Sequence, residues 1–157
     1  MTETMPVPGY EGFYEIDRDG NVTSLRRKTP HQLSPALNGK GYAFVGLHRP
    51  NARRRLVEVH LLVAEAFIGP RPDGAVVRHL DGDRKNNSAK NLAYGTVSEN
   101  NLDTVAHGRH RNARKVECIN GHPFDGANTY MLHGARYCRA CNRSHVAAYK
   151  AKRMADL

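Results

Sequence analysis

Three polar residues in the middle of the chain have side chains whose types suit chemistry on a phosphodiester bond. They are His79, Asn91 and Asn100. A neutral imidazole can take a proton from water near pH 7, and an Asn side-chain oxygen is a hard ligand for a divalent cation such as Mg²⁺. A second Asn can hold a His N–H and fix its tautomer. These groups together predict metal-assisted hydrolysis, in which the His activates water and the cation neutralises charge on the phosphate.

The cysteines predict a metal site of a different kind. Cys118-x₃-His122 is followed, after fifteen residues, by Cys138-x₂-Cys141, and two short ligand pairs separated by a loop are typical of tetrahedral Zn²⁺. Two further histidines could replace His122 as the fourth ligand, namely His133 and His145. Four protein ligands leave no open position, so we expect a structural zinc that supplies much of the folding energy of this polar segment.

A strand–loop–strand–helix unit would position the His and the two Asn residues. Residues 76–80 are strand-like, residues 81–90 form a polar loop and residues 92–94 suit a second short strand. Residues 96–99 have the Thr-x-x-Glu pattern of a capping box, and the helix that they open should end at Gly108. A helix packed across this hairpin would let the polar side chains converge.

Upstream elements are expected to be mostly β. Residues 10–28 predict a hairpin, and residues 41–47 and 56–59 predict a second pair of strands. Residues 60–67 have the i, i+4 apolar pairs of a short core helix. His60 is not included among the catalytic residues. It could start that helix, pair with a backbone carbonyl or approach the DNA.

The charge of the chain is concentrated at its carboxyl end. The 157 residues carry a formal charge of +9, of which residues 108–157 supply +7 with ten Lys/Arg against three Asp/Glu. The last part, from about Ser144, is expected to be helical and basic. Such a surplus favours an anionic partner, nucleic acid before a membrane surface.

Membrane and secretory classes are disfavoured by the same sequence. No apolar run approaches the roughly 20 residues of a spanning helix, and the first residues lack the basic flank and apolar stretch of a secretory signal. Three cysteines, an odd number, argue against a disulfide framework. A cytoplasmic protein is therefore expected.

The chain resembles the HNH (ββα-metal) nucleases, in particular the phage- and intron-encoded homing endonucleases. The resemblance lies in His79…Asn91…Asn100 within residues 77–92, and in residues 59–67, which look like the helix that precedes the motif in that branch. Residues 9–25 resemble the small N-terminal DNA-binding module called NUMOD4. Several short matches in consistent order across about residues 5–107 make the resemblance specific.

The resemblance implies a role for each motif residue. His79 would be the general base, Asn91 would position that His or the loop, and Asn100 would be a ligand of catalytic Mg²⁺ or Mn²⁺. Members of the family often carry an acidic residue directly before the His, where this chain has Arg78. A guanidinium has no acceptor and cannot bind a cation. Either Asp81 substitutes as the ligand, or the cation is held more loosely by Asn100, water and phosphate. Arg78 could instead clamp a phosphate oxygen.

The expected architecture is an α+β fold in three parts. A β-rich DNA-binding region would occupy residues 1–58, a ββα-metal nuclease core residues 59–108, and a basic zinc-binding tail residues 109–157. We expect the protein to bind double-stranded DNA as a monomer or weak dimer. The basic side chains expected to contact DNA are Arg26, Arg27, Lys28, Arg53, Arg54, Arg55, Arg78, Arg136, Arg139 and Arg143.

The predicted activity is metal-dependent DNA cleavage, with a homing-type nickase as one form of it. The alternative is a DNA-binding protein on an HNH-like scaffold that does not cleave, and Arg78 is the feature that favours it. An RNA-binding module is a third reading, which the charge of the tail permits but which leaves the His and Asn residues without a role.

Overall fold

The computed structural model describes residues 3–155 and divides the chain into two compact units, Met1–His107 and Gly108–Leu157. Every strand pair in residues 3–155 is antiparallel and helices accompany the sheets, so the predicted α+β class is confirmed. None of the helices in the described residues is long and apolar enough to cross a membrane.

The first unit begins with a four-stranded antiparallel sheet. Its strands are β1 (Thr4–Pro6), β2 (Tyr14–Asp17), β3 (Val22–Ser24) and β4 (His31–Gln32), hydrogen-bonded in chain order. The turn between β2 and β3 contains Gly20 at φ +88°, and a Cβ there would stand 3.1 Å from Asn87. This turn therefore lies directly against the loop that carries the candidate site.

A three-stranded sheet and a helix complete the core of this unit. The strands are β5 (Ala36–Leu37), β6 (Ala43–Leu47) and β7 (Arg55–Glu58), and helix α1 (Val59–Phe67) follows β7 directly. Side chains alternate between buried and half-buried along β2 and β6, as period-2 strands require. One apolar core joins the sheets to α1 and contains Ile16, Leu47 and Val63, each 0% exposed.

A hairpin and a helix then follow in the order that the sequence predicts. Strand β8 (Val76–His79) pairs with β9 (Leu92–Gly95), which places His79 opposite Leu92. Helix α2 (Val97–Ala106) opens on a complete capping box, in which the Thr96 hydroxyl accepts from the Glu99 N–H and the Glu99 carboxylate accepts from the Thr96 N–H. The helix ends before Gly108, whose φ is +64°.

The second unit contains one hairpin and one long helix. Strands β10 (Thr129–Leu132) and β11 (Ala135–Cys138) pair antiparallel, and α3 (Arg139–Ala155) starts at once after them. This helix begins five residues before the predicted Ser144, because the Cys141 N–H bonds to the Cys138 sulfur and the Arg139 N–H to the Asn128 carbonyl. The ligand-bearing segment is thus itself the first turn of the helix.

Candidate nuclease site and cysteine cluster

His79 ends strand β8 and is 7% exposed. The rings of Tyr42 and His60 pack on it, with centroid distances of 5.9 and 5.1 Å. Burial lowers its pKa, while the bond to Asn87 and the nearby carboxylates oppose that shift only in part. A pKa below the ordinary value keeps His79 neutral at pH 7, which is the form that accepts a proton.

Asn87 determines which nitrogen of His79 carries the proton. The Asn87 amide nitrogen donates to the Lys85 carbonyl at 3.3 Å, and a carbonyl can only accept, so the amide oxygen must face the other way. That oxygen lies 3.4 Å from His79 Nε2. An amide oxygen can only accept, so this contact is a hydrogen bond in the tautomer with the proton on Nε2, which leaves the basic lone pair on Nδ1.

Asn91 holds the loop between the two strands. Its side-chain oxygen accepts from the Asp81 N–H at 3.0 Å, and its nitrogen donates to Asp81 Oδ1 and to the Asn86 carbonyl at 2.9 and 2.8 Å. The sequence left open whether Asn91 positions the His or the loop, and these bonds place it on the loop. The contact with the His belongs to Asn87 instead.

Arg78 points to helix α2. Its Nε and Nη2 donate to the Asp103 carboxylate at 2.7 and 2.9 Å, and Nη1 lies 3.6 Å from Glu99. A Cβ on Gly95 would overlap the Arg78 side chain, so glycine at the end of β9 provides the passage that it needs. The Arg78 guanidinium also lowers the pKa of Asp103. This pair fixes α2 across the hairpin.

Asp81, in the loop of the β8–β9 hairpin, offers a carboxylate of the kind that hard divalent cations prefer. Asp81 is exposed, and its pKa is lowered, first by the bond from Asn86, so its carboxylate is ionised. Three hydrogen bonds reach that carboxylate from Asp83, Asn86 and Asn91, and about four acceptor sites leave one for a metal. Asn100 is exposed on α2. The positive charge of Arg78 is offset by the carboxylates of Asp103 and Glu99.

The basic residues expected to bind DNA in the first unit are mostly at its surface. Arg26, Arg27 and Lys28 follow β3 and are exposed, and so is the triplet 53–55 that leads into β7. Arg54 lies over Gly46 of β6. Arg78 differs from these residues, because its side chain is 17% exposed and already paired.

The four ligands proposed for zinc converge in the second unit. One ligand atom from each of Cys118, His122, Cys138 and Cys141 lies within 4.8 Å of all the others. The Cys118 and Cys141 sulfurs are 3.6 Å apart, and the edge of a tetrahedral Zn–thiolate site is about 3.8 Å for Zn–S bonds of ~2.3 Å. The donor set therefore fits zinc, with His122 in the fourth position.

Local turns and one asparagine build this cluster. The Cys118 N–H donates to the His122 carbonyl and the Gly121 N–H to the Cys118 carbonyl, which closes a tight turn around the first pair. Burial raises the pKa of the Cys138 thiol, but bonds from the Cys141 N–H and the Asn128 amide outweigh it and lower the pKa to about 6. Thiolate character suits a metal ligand.

The basic residues of the second unit differ in how far their side chains are used in contacts within the protein. Arg136 is half-buried, donates to the carbonyls of Asn112 and Lys115, and stacks over Phe124 at 4.2 Å. Arg139 and Arg143 are exposed on α3. Of the three arginines predicted here to contact DNA, Arg136 thus holds the fold of the unit together.

Sequence reasoning did not find Asn87, Asp103 or Asn128. Asn87 stands in an Asn86-Asn87 pair, and nothing in the one-dimensional pattern shows which amide turns towards His79. Asp103 lies at i+4 from Glu99 on α2, a spacing that places two carboxylates on one face, and this signal was available. The contact of Asn128 with Cys138 depends on a hairpin that the sequence did not predict.

Comparison with known proteins places this geometry in a family. Residues 57–102 match the family model described as HNH endonuclease. The chain is 32% identical over 106 residues to DNA endonuclease I-HmuI of Bacillus phage SP01, covering 68% of this chain and 59% of that protein. It is 32% identical over 122 residues to the SPbeta prophage-derived protein YosQ of Bacillus subtilis (strain 168), covering 78% of this chain and 64% of that protein.

A solved structure gives the same result in three dimensions. The structure titled "DNA binding and cleavage by the HNH homing endonuclease I-HmuI" superposes with a TM-score of 0.63 and 30% identity, over 71% of this chain and 63% of that chain. The chain thus spans less than two thirds of the length of I-HmuI. Residues 57–102, which match the family model, contain β8, β9 and the first turns of α2, with His79, Asn91 and Asn100. By sequence and by fold, the chain belongs to the HNH endonuclease family.

Proposed function

We propose that the protein is a metal-dependent endonuclease that hydrolyses phosphodiester bonds of double-stranded DNA. The observation that carries this proposal is His79, a neutral imidazole at the end of β8 whose proton is held on Nε2 by the Asn87 oxygen. Its Nδ1 is then a base oriented by its surroundings, within a domain that matches the HNH endonuclease family.

In this proposal His79 Nδ1 takes the proton of the attacking water. Asn91 keeps the loop closed through Asp81, and the Arg78–Asp103 pair holds α2 and hence Asn100 in place. Asn100 and Asp81 would hold Mg²⁺ or Mn²⁺. The bound cation would neutralise charge on the scissile phosphate and on the leaving oxygen.

The remaining parts of the chain would bind the DNA. We assign a DNA-binding role, the one implied by the NUMOD4 resemblance, to residues 1–58, with the exposed basic segments 26–28 and 53–55, and a nuclease role to residues 59–108. Residues 109–157 would provide a second contact on a structural zinc, mainly through Arg139 and Arg143. Contacts to phosphates make affinity fall steeply with salt. The protein would act as a monomer or weak dimer in the cytoplasm, that of the host cell if a phage encodes it.

A plasmid assay tests the activity. Supercoiled DNA is incubated with wild-type protein and Mg²⁺ or Mn²⁺, and the nicked and linear products are quantified. Their ratio distinguishes nicking from double-strand cleavage. His79→Ala should lower the rate by about 10²–10⁴-fold, since a positioned general base contributes that much. His31→Ala, at an exposed histidine of β4, is the matched control and should cleave normally.

The alternative is a DNA-binding protein without cleavage, and Arg78 favours it. The residue puts a guanidinium, which cannot bind a metal, on the strand that carries His79. In that case wild type and His79→Ala would bind DNA equally and neither would cleave it with either ion. The same assay therefore decides between the two functions.

A further inference from the structure

A second histidine is buried beside His79. His60 lies in the first turn of α1 and is 5% exposed. Its ring centroid is 5.1 Å from that of His79 and 5.0 Å from that of Tyr42. The rings of His60 and Tyr42 thus both pack on the His79 imidazole, in addition to the Asn87 oxygen at Nε2.

His60 makes no hydrogen bond that explains a polar side chain at this place. Within the described residues its Nδ1 has no partner. Its Nε2 is 3.7 Å from Glu58 Oε2, which is too far for a hydrogen bond. An unpartnered buried nitrogen costs free energy, and the neighbouring buried positions of α1 are apolar. A leucine here would avoid that cost, so packing alone does not account for the imidazole.

Unlike leucine, an imidazole has a planar ring, and the His60 ring is also uncharged. Burial, and secondarily His79, lowers the pKa of His60 to about 4, so it adds no positive charge beside His79 at neutral pH. The χ2 torsion of a histidine is broad, and a rotamer alone does not fix its ring. The Asn87 contact of 3.4 Å is long. A second contact is therefore needed to hold the His79 ring.

We propose that His60 is a positioning residue for His79. Its neutral planar ring, inclined at 59° to the His79 ring, and that of Tyr42, inclined at 42°, together limit rotation of the His79 imidazole and keep Nε2 on Asn87 and Nδ1 available to water. This inference rests on the proposed function of His79 as the general base, and it assigns no contact between His60 and DNA or metal.

Two substitutions separate a flat ring from mere apolar bulk. His60→Phe keeps a flat face, whereas His60→Leu fills the space without one. Both remove the unpartnered nitrogen, so both should melt at or above the wild-type temperature. His60→Leu should lower kcat about tenfold with KM unchanged, because misorientation of a reacting group reduces the chemical step. His60→Phe should keep kcat within about twofold of wild type.

Three kinetic results would overturn the proposal. They are wild-type kcat in His60→Leu, an equal loss of kcat in His60→Phe and His60→Leu, and a raised KM with unchanged kcat, which would indicate a contact with DNA.

A measurement on the free protein separates this inference from the proposed activity. NMR relaxation of the His79 ring carbons reports how well that ring is held, and it needs neither DNA nor metal. The ring should gain mobility in His60→Leu and stay ordered in His60→Phe. Equal ring order in all three proteins would refute the positioning role even if wild type cleaves DNA. Absence of cleavage by wild type would refute the activity alone.

Discussion

The two units, residues 1–107 and residues 108–157, differ in the interactions that stabilise each of them. In the first unit, twelve buried residues from the strands, the β1–β2 connection and α1 form one apolar cluster. In the described part of the second unit, Cys138 is the only buried hydrophobic residue, and Ile119 is 99% exposed. A segment with so little apolar burial cannot offset the entropy of ordering its chain. We therefore expect the second unit to depend on its ligand cluster for folding, whereas the first relies on its apolar core.

Removal of metal should have the largest effect, and only on the second unit. Structural zinc contributes about 10–16 kcal/mol of apparent binding free energy in small domains. Cys138→Ser, or a strong chelator, should therefore unfold residues 108–157 and leave the first unit folded. Zinc analysis should find about one ion per wild-type chain and none in the variant, and backbone NMR should show which unit loses its dispersed signals.

His145→Ala is the matched control for that experiment. His145 is an exposed histidine of α3 that lies outside the cluster. It should retain zinc and fold normally. Loss of zinc in this variant would support the alternative in which His145 is the fourth ligand. A second unit that stays folded without metal would show that it does not depend on its ligand cluster.

Core truncation should show the opposite pattern. Ile16 is 0% exposed in the core of the first unit, whereas Ile119 is 99% exposed in the second. Ile16→Ala should cost about 2–5 kcal/mol of unfolding free energy, from lost transfer energy and the cavity left behind. Ile119→Ala should stay within about 0.5 kcal/mol of wild type. Denaturant unfolding of the two variants measures both values, and similar losses would break the distinction between the units.

The bond between Asn87 and His79 should matter for catalysis more than for folding. Asn87→Ala removes the acceptor that keeps the proton on Nε2, and loss of such a supporting partner costs about 10–100-fold in activity. Single-turnover cleavage should show the loss in the rate constant, with DNA affinity unchanged. Asn87→Asp retains an acceptor and should keep more of the activity than Asn87→Ala. An equal loss in both would show that the tautomer is not the reason.

Sequence patterns were sufficient for the elements that carry their own local signals. The capping box at Thr96 and Glu99 marked the start of α2, and the hairpin predicted over residues 10–28 contains the β2–β3 pair. The Cys and His spacing identified all four members of the cluster. In each case the signal lies within a few residues and does not need the rest of the fold.

What the sequence did not show depends on tertiary contacts or on unusual turn chemistry. The β10–β11 turn uses His133 and Gly134 at φ +48° and +75°, and a histidine in the left-handed region is not part of the usual Asn-Gly or Asp-Gly hairpin signal. The partner of Arg78 is 25 residues away. No single role for His60 could be predicted from the sequence, because only the fold shows that its ring meets His79.

Helix α2 belongs to the first unit but has no buried residue, so the apolar core that stabilises the rest of that unit does not stabilise this helix. Its stability must come from its cap and from the Arg78–Asp103 pair rather than from the core. Thr96→Ala should therefore cost about 1 kcal/mol, as loss of an N-cap usually does. Ser98→Ala, at an exposed position two residues on, should be neutral or slightly stabilising, since Ala is the better helix former. Hydrogen exchange of α2 amides should show faster opening in Thr96→Ala only. Unchanged protection would mean that the ion pair alone holds the helix, and with it Asn100, against the hairpin.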